Sequence, residues 1–331
     1  RRLKMSDKKC CKKTSIGGQA VIEGIMMKGP KKTVLAVRHV TSGEIIVEDV
    51  KEPKTAPKLL KLPIIRGVYN FVQSMITGYK TLMRSADLSG MTELEEQEEK
   101  AENEKKGKTQ KPSKLSDGLM AVVMAIAGVL GVAIAVLLFM WLPTFLFDRL
   151  KDAVSADISN FRALIEGVMK LVIFLAYLAL VSQMKDIKRV FKYHGAEHKT
   201  IFCYEKGLPL TVENIRKQTR FHPRCGTSFM FLMIVVGILI STVIVVLFPA
   251  VASVPYIWIP TKILLVPLFC GIGYELIKFC GKHDNIATKI IAAPGLWVQR
   301  LTTKEPDDEM IEVAIQSMLP VIPENNEDEI K

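Results

Sequence analysis

The stretch LMAVVMAIAGVLGVAIAVLLFMWL, residues 119–142, decides the fold. It carries no charged side chain, and a helix needs roughly 20 apolar residues to cross the hydrocarbon core of a bilayer. A helix buried on one side of a soluble domain would show a polar face, so this segment predicts a transmembrane helix. SFMFLMIVVGILISTVIVVLFPAV (228–251) repeats the signature, as does most of YIWIPTKILLVPLFCGIGYELIKF (256–279). The fourth span is FRALIEGVMKLVIFLAYLALVSQM (161–184), where Glu166 and Lys170 stand four apart and can pair near one membrane face. On this reading only Glu166, Lys170 and Glu275 interrupt the spans.

Charge placement sets topology. The 331-residue chain has a formal net charge of +11, which alone would suit a nucleic-acid binder. The basic residues are unevenly placed, however: ten Lys/Arg lie between Lys185 and Arg224, whereas Arg149 and Lys151 after the first span are balanced by Asp148, Asp152 and Asp157. By the positive-inside rule, both termini and the 185–227 loop face the cytoplasm, and the connections near 150 and 253 face out. This pattern predicts a multi-pass protein whose partner is membrane lipid, with no recognition of a specific nucleic-acid sequence.

The predicted fold class is a mainly α polytopic membrane protein, with four transmembrane helices, a small N-terminal cytoplasmic β unit and amphipathic helices. A basic tail (1–14) leads into the β unit (15–61), where SIGGQAVIEGIMMKGP, TVLAVRHV and EIIVEDV alternate as antiparallel strands with turns. An amphipathic interfacial helix follows (62–90), with Ile65, Val68, Val72, Met75 and Ile76 along one side. Residues 91–117 form a charged linker with too few apolar groups to fold. The transmembrane domain spans 118–284, and 285–331 is a helical cytoplasmic tail in which Ile311, Ala314, Ile315 and Met318 share a face and Trp297 anchors at the interface. Six cysteines in irregular spacing (Cys10, Cys11, Cys203, Cys225, Cys270 and Cys280) exclude a disulfide framework. No apolar run follows the basic N-terminal residues, so no cleavable signal peptide is read there.

The loop YHGAEHKTIFC (193–203) carries the chemistry. On a helix, His194 and His198 stand one turn apart on one face and both reach a single divalent ion, with Glu197 beside them to act on water; H-x-x-E-H is the inverted zinc-peptidase signature. Such an enzyme needs a further ligand, and Glu275, near the cytoplasmic end of the fourth span, is one candidate. RFHPRCGTSF supplies others, because His222 and Cys225 with the first two histidines make a closed four-ligand zinc site. His283 fits either arrangement, and Glu23 in GGQAVIEGIMMKG is a further candidate ligand. Gly195 weakens the required helix by about 1 kcal/mol relative to alanine.

With GGQAVIEGIMMKGP, YHGAEHKTIFCYE, FHPRCGTSF and APGLWVQRLTTKEPDD in view, the chain resembles the YqhQ-like family of bacterial membrane proteins, described as predicted metal-dependent enzymes. The resemblance implies a location in the bacterial plasma (inner) membrane and a metal, held at positions matching His194, Glu197, His198, His222 and Cys225. It implies no substrate.

These readings point to metal-assisted hydrolysis. His194 and His198 hold Zn2+, Glu275 or His222 completes the set, Glu197 is the general base, and Arg224 steadies developing negative charge. The substrate is a peptide or a lipid-linked molecule arriving laterally. The competing expectation is a non-catalytic scaffold whose basic cytoplasmic face binds the insertion machinery, a ribosome or anionic lipid.

Overall fold

The structure, a computed structural model, describes residues 12–51, 57, 60, 62–94, 117–154, 157–283 and 285–330. Most of the basic tail and the charged linker therefore lie outside the described residues, as do Cys10 and Cys11. The remaining four cysteines are free thiols.

Four short strands, β1 (Gly17–Val21), β2 (Gly24–Lys28), β3 (Thr33–Arg38) and β4 (Ile45–Val50), form one antiparallel sheet in the order β1-β2-β3-β4. Because side chains alternate along a strand, the sheet has two apolar faces. Ile25, Met27, Val34 and Ala36 face one way, and Val21, Met26, Leu35 and Val37 the other. The first face packs on two helices of the later chain, α5 (Lys185–Glu205) and α10 (Asp308–Met318), burying Tyr193, Ala196, Ile201, Ile311, Ala314 and Met318. Each such residue contributes about 1.5–3 kcal/mol by leaving water. The tail helix expected around Ile311 and Met318 is thus half of the core of this sheet unit.

The second face meets Leu82 and Leu88 of α1 (Ile65–Ser89). This helix is amphipathic as expected, but it turns small residues inward: Gly67, Gly78, Thr81, Ser85 and Ser89 are buried. The apolar stripe of Ile65, Val72, Met75 and Ile76 stays exposed.

Among the described residues, four helices are long and apolar enough to cross a membrane: Ala125–Ala153, Ser159–Val181, Gly226–Leu247 and Pro255–Lys282. The first continues past the end that the hydropathy reading gave it. It joins α2 (Asp117–Val136) through a π turn at Leu137–Trp141 to α3 (Leu142–Ala153). α4 (Arg162–Val181) then runs back toward the sheet unit and leads into α5, which is followed by the single turn α6 (Val212–Arg216). α7 (Gly226–Leu247) and α8 (Pro255–Lys282) complete the bundle, and α9 (Ile286–Thr302) packs on α7. Trp297 on α9 is 69% exposed, as an interfacial anchor requires.

At the end of the bundle away from the sheet, Glu166 does not pair with Lys170. Its partners are Arg162 (Nε to Oε1, 2.9 Å), Trp258 (Nε1 to Oε2, 3.0 Å) and Lys262 (Nζ to Oε2, 2.9 Å). Lys262, another ionisable residue inside the apolar helices, sits only two turns into α8 and also donates to Thr144 Oγ1 at 2.7 Å. The sequence reading passed over it because a lone lysine in an apolar run does not disclose its partner on another helix.

Candidate metal centre

α5 forms a continuous helix through the glycine that sequence reasoning counted against it. Gly195 faces the segment 303–306, and a Cβ there would collide with the Lys304 carbonyl oxygen. Its absence lets the extended chain after α9 lie flat against α5, where Lys304 N donates to Phe191 O at 2.8 Å. The helix therefore pays about 1 kcal/mol in propensity for a contact that alanine would forbid.

That contact positions His194 and His198. One turn apart on α5, their ring centroids lie 4.4 Å apart. His194 Nδ1 meets Thr302 O at 2.8 Å, and His198 Nδ1 meets Arg220 O at 2.6 Å. A carbonyl only accepts, so each Nδ1 carries a proton, and in the neutral form of each ring Nε2 holds the lone pair that a metal would use. Metal-binding histidines are oriented by this kind of partner. Cys225, the N-cap of α7, brings its Sγ to 3.1 Å from His194 Nε2. The ligand atoms of His194, His198 and Cys225 all lie within 4.8 Å of one another. Tetrahedral zinc sets its ligand atoms about 3.5 Å apart, so small side-chain adjustments would bring the three onto one ion.

The electrostatics suit a cation. Burial opposes charge on His194, but the Cys225 sulfur beside it reverses the balance and raises the imidazole to about 9. Burial likewise works against a Cys225 thiolate, and the two histidines overcome it, holding the thiol well below its usual value. An imidazolium–thiolate pair is what a metal ion displaces, since both ligands must lose their protons to bind. Glu197 is pushed upward by burial, against the pull of His198 and His194. Gly18 N donates to its Oε1 at 3.0 Å.

The other expected site residues fall elsewhere. His222 is next in the row of rings, 5.4 Å from His198 by centroids, but its Nε2 points to Glu205 Oε2 at 3.9 Å. Its backbone N donates to Gln299 Oε1 at 2.7 Å, and Gln299 Nε2 returns a bond to His222 O at 2.6 Å. Burial keeps the ring neutral, lowered to about 4. The closed four-ligand set is thus not assembled. Arg224 is ion-paired to Glu205 and donates to Thr14 O at 3.3 Å, so its charge is already committed. Glu275 is gripped by Arg66 of α1 through both oxygens, which takes it out of the ligand set. His283 stacks on Phe279 at 4.3 Å, and Glu23 is held by Arg189 and Tyr193.

Sequence reasoning missed the supports: Gln299, fully buried, which ties the 220–225 loop to α9, and Gly18 and Glu205. Gln299 lies in APGLWVQRLTTKEPDD and Gly18 in GGQAVIEGIMMKGP, so two distant motifs converge on the third.

A family model described as "Protein of unknown function (DUF1385)" matches residues 62–324. The chain is 38% identical over 309 residues to "Uncharacterized protein YqhQ" of Bacillus subtilis (strain 168), covering 91% of this chain and 90% of that protein. No solved structure matches.

Proposed function

We propose that this chain, which belongs to the DUF1385 family, is a membrane-embedded metal-dependent hydrolase working at the cytoplasmic membrane surface. One observation carries the reading. Two imidazoles, each with its Nδ1 proton committed to a backbone carbonyl, turn their Nε2 atoms toward a single sulfur, beside a carboxylate that no lysine or arginine holds among the described residues. Three ligands leave a fourth position open, the hallmark of a catalytic zinc site. Nitrogen and thiolate donors suit zinc among the common divalent metals. The bound ion would supply Lewis acidity and make water a stronger acid.

The chain's own residues do the rest. Gly18 fixes one oxygen of Glu197 and leaves the other to accept a proton, whose hold on the carboxyl is strengthened by burial. His222 and Arg224 act through Glu205, holding the loop that carries Cys225. The distribution of Lys and Arg supports a cytoplasmic placement, within a bacterial plasma membrane.

A second reading has its own support. His198 and Cys225 are only 2% and 7% exposed. A metal so enclosed would also serve to pin the 220–225 loop in a scaffold whose basic face meets a partner. Glu197→Gln separates the two. In a zinc-loaded preparation, the hydrolase keeps its metal and loses turnover of a fluorogenic ester and peptide panel, whereas a scaffold shows no turnover to lose. Zinc bound at one per chain and lost in His198→Ala is common to both, and its absence would sink both.

A further inference from the structure

β1 is an edge strand, and its outer side has no strand partner among the described residues. The ladder dictates which of its groups face out. Val21 closes the two-residue turn Ile22–Glu23 against Gly24, so Val21, Gln19 and Gly17 bond inward to β2, and Gly18 and Ala20 turn outward. Two contacts bear this out: Gly18 N donates to Glu197 at 3.0 Å, and Ile22 N donates to Ser85 Oγ at 3.2 Å. Between these two amides, Ala20 N–H, Ala20 C=O and Gly18 C=O have no partner across the edge among the described residues.

Open edges invite pairing, and proteins blunt them with charge, proline or a bulge. GGQAV carries none of these. Gly18 is exposed and Ala20 half-buried, and a Cβ at Gly18 would meet Met26 O at 2.6 Å and Met27 Sδ at 2.9 Å as well as Glu197 Cδ at 3.1 Å. The strand therefore carries no side chain where it passes both β2 and Glu197. α5 lies along it, with Arg189 at the hairpin end through Glu23 and Glu197 at Gly18.

We propose that the β1 edge is the substrate-docking subsite of this centre and that the substrate is a polypeptide segment bound in extended form. The inference rests on the hydrolase reading and names its substrate class. The segment pairs with Ala20 through both backbone groups of one residue, then continues toward Gly18. At about 3.4 Å per residue, the peptide bond roughly two residues along lies beside Glu197. There water oxygen bonds to the carbonyl carbon as the C–N bond breaks. Glu197 takes one water proton and passes it to the departing amine nitrogen, leaving a carboxylic acid and an amine. Backbone pairing supplies affinity with little dependence on side chains, as in other strand-addition modes.

The test uses the full chain in detergent, loaded with zinc, and two probes. Acetohydroxamate reads the metal alone, and the tetrapeptide hydroxamate Ac-Ala-Val-Ala-Val-NHOH reads metal and edge together. The peptide probe is expected to bind at least about tenfold tighter, the effect of one or two added backbone hydrogen bonds. N-methylation of one alternate set of its amides removes that gain and methylation of the other set does not. Ala20→Pro, which deletes an outward N–H at a position where an edge tolerates proline, also removes it while zinc content stays at one per chain. Equal affinity of the two probes, or equal loss from both methylation sets, overturns the docking subsite while leaving the metal centre standing. A chain that takes up no zinc and binds no acetohydroxamate after zinc loading overturns the hydrolase reading itself. A dimer that Ala20→Pro dissociates would mean that a second copy of this chain occupies the edge, and would overturn the proposal as well.

Discussion

The bundle holds two buried polar clusters, one at each end, and they are built on opposite principles. At the end away from the sheet, Arg162, Glu166 and Lys262 close on themselves: Glu166 takes three donors, Lys262 donates to Glu166 and Thr144, and Arg162 also lies 3.0 Å from Asp148. At the sheet end, His194, His198 and Cys225 turn two ring nitrogens and a sulfur toward one another, and the 3.1 Å contact of His194 Nε2 with Cys225 Sγ holds a proton that a metal ion can displace. Both clusters lie on or beside apolar helices, where an unpaired polar group is costly. The closed cluster is satisfied by fixed charges, and the open one by a proton that can be exchanged. The π turn at Leu137–Trp141 belongs to the closed design, for Met140 O lies 3.4 Å from Lys262 Nζ.

If that contrast is right, the clusters fail differently. Lys262→Ala should be the most damaging change, costing about 3–5 kcal/mol because it leaves Arg162 as the single cation paired with the carboxylates of Glu166 and Asp148 among the described residues. Thermal unfolding in detergent would register it, and zinc content of the folded fraction should not move. Adding Glu166→Gln should restore part of the loss, and strictly additive losses would show that the two side chains are not coupled.

His194→Ala should do the reverse. Zinc affinity falls by at least about a hundredfold, on the order of 2.7 kcal/mol, while stability of the metal-free chain changes little. A similar drop in the metal-free melting temperature would mean that the site is part of the packing instead. Gly195→Ala tests the scaffold beneath it: forcing a methyl against Lys304 O should cost about 1–3 kcal/mol and weaken zinc binding together with stability.

The smallest effect is a pH dependence beside the open cluster. Burial raises the Glu205 carboxyl, but His222, Arg224 and the Thr14 amide outweigh it, so its pKa is lowered on folding. A lowered carboxylate contributes stability above its unfolded value, and that contribution is lost as pH falls through the folded value. Unfolding curves from pH 6 downward should therefore fall more steeply for the parent than for Glu205→Gln, and coincident slopes would remove Glu205 from the account.

How much of this was legible in advance varies with the range of the interaction. The sequence reading makes residues 185–227 a loop, with a helix only as the condition for His194 and His198 to share an ion, whereas Lys185–Glu205 is one helix; the third ligand was among the candidates, because motif chemistry is local. Choosing Cys225 over His222 and Glu275 was not possible, since all three have ligand-type side chains and the choice turns on where Gln299, Glu205 and Arg66 pull them. Gly195 misled for the same reason: helix propensity penalises it, and only the approach of Lys304 explains it.

The sequence by itself determined the four apolar helices, the short antiparallel strands and the residues able to bind a metal, because these follow from composition and from the periods of helix and strand. Tertiary structure alone decided that Lys262 finds Glu166, that three of the seven candidate ligands meet, and that the β1 edge ends beside Glu197. Each of those outcomes depends on contacts between segments far apart in the chain, whose geometry is set by packing the sheet unit against the bundle and not by any local pattern.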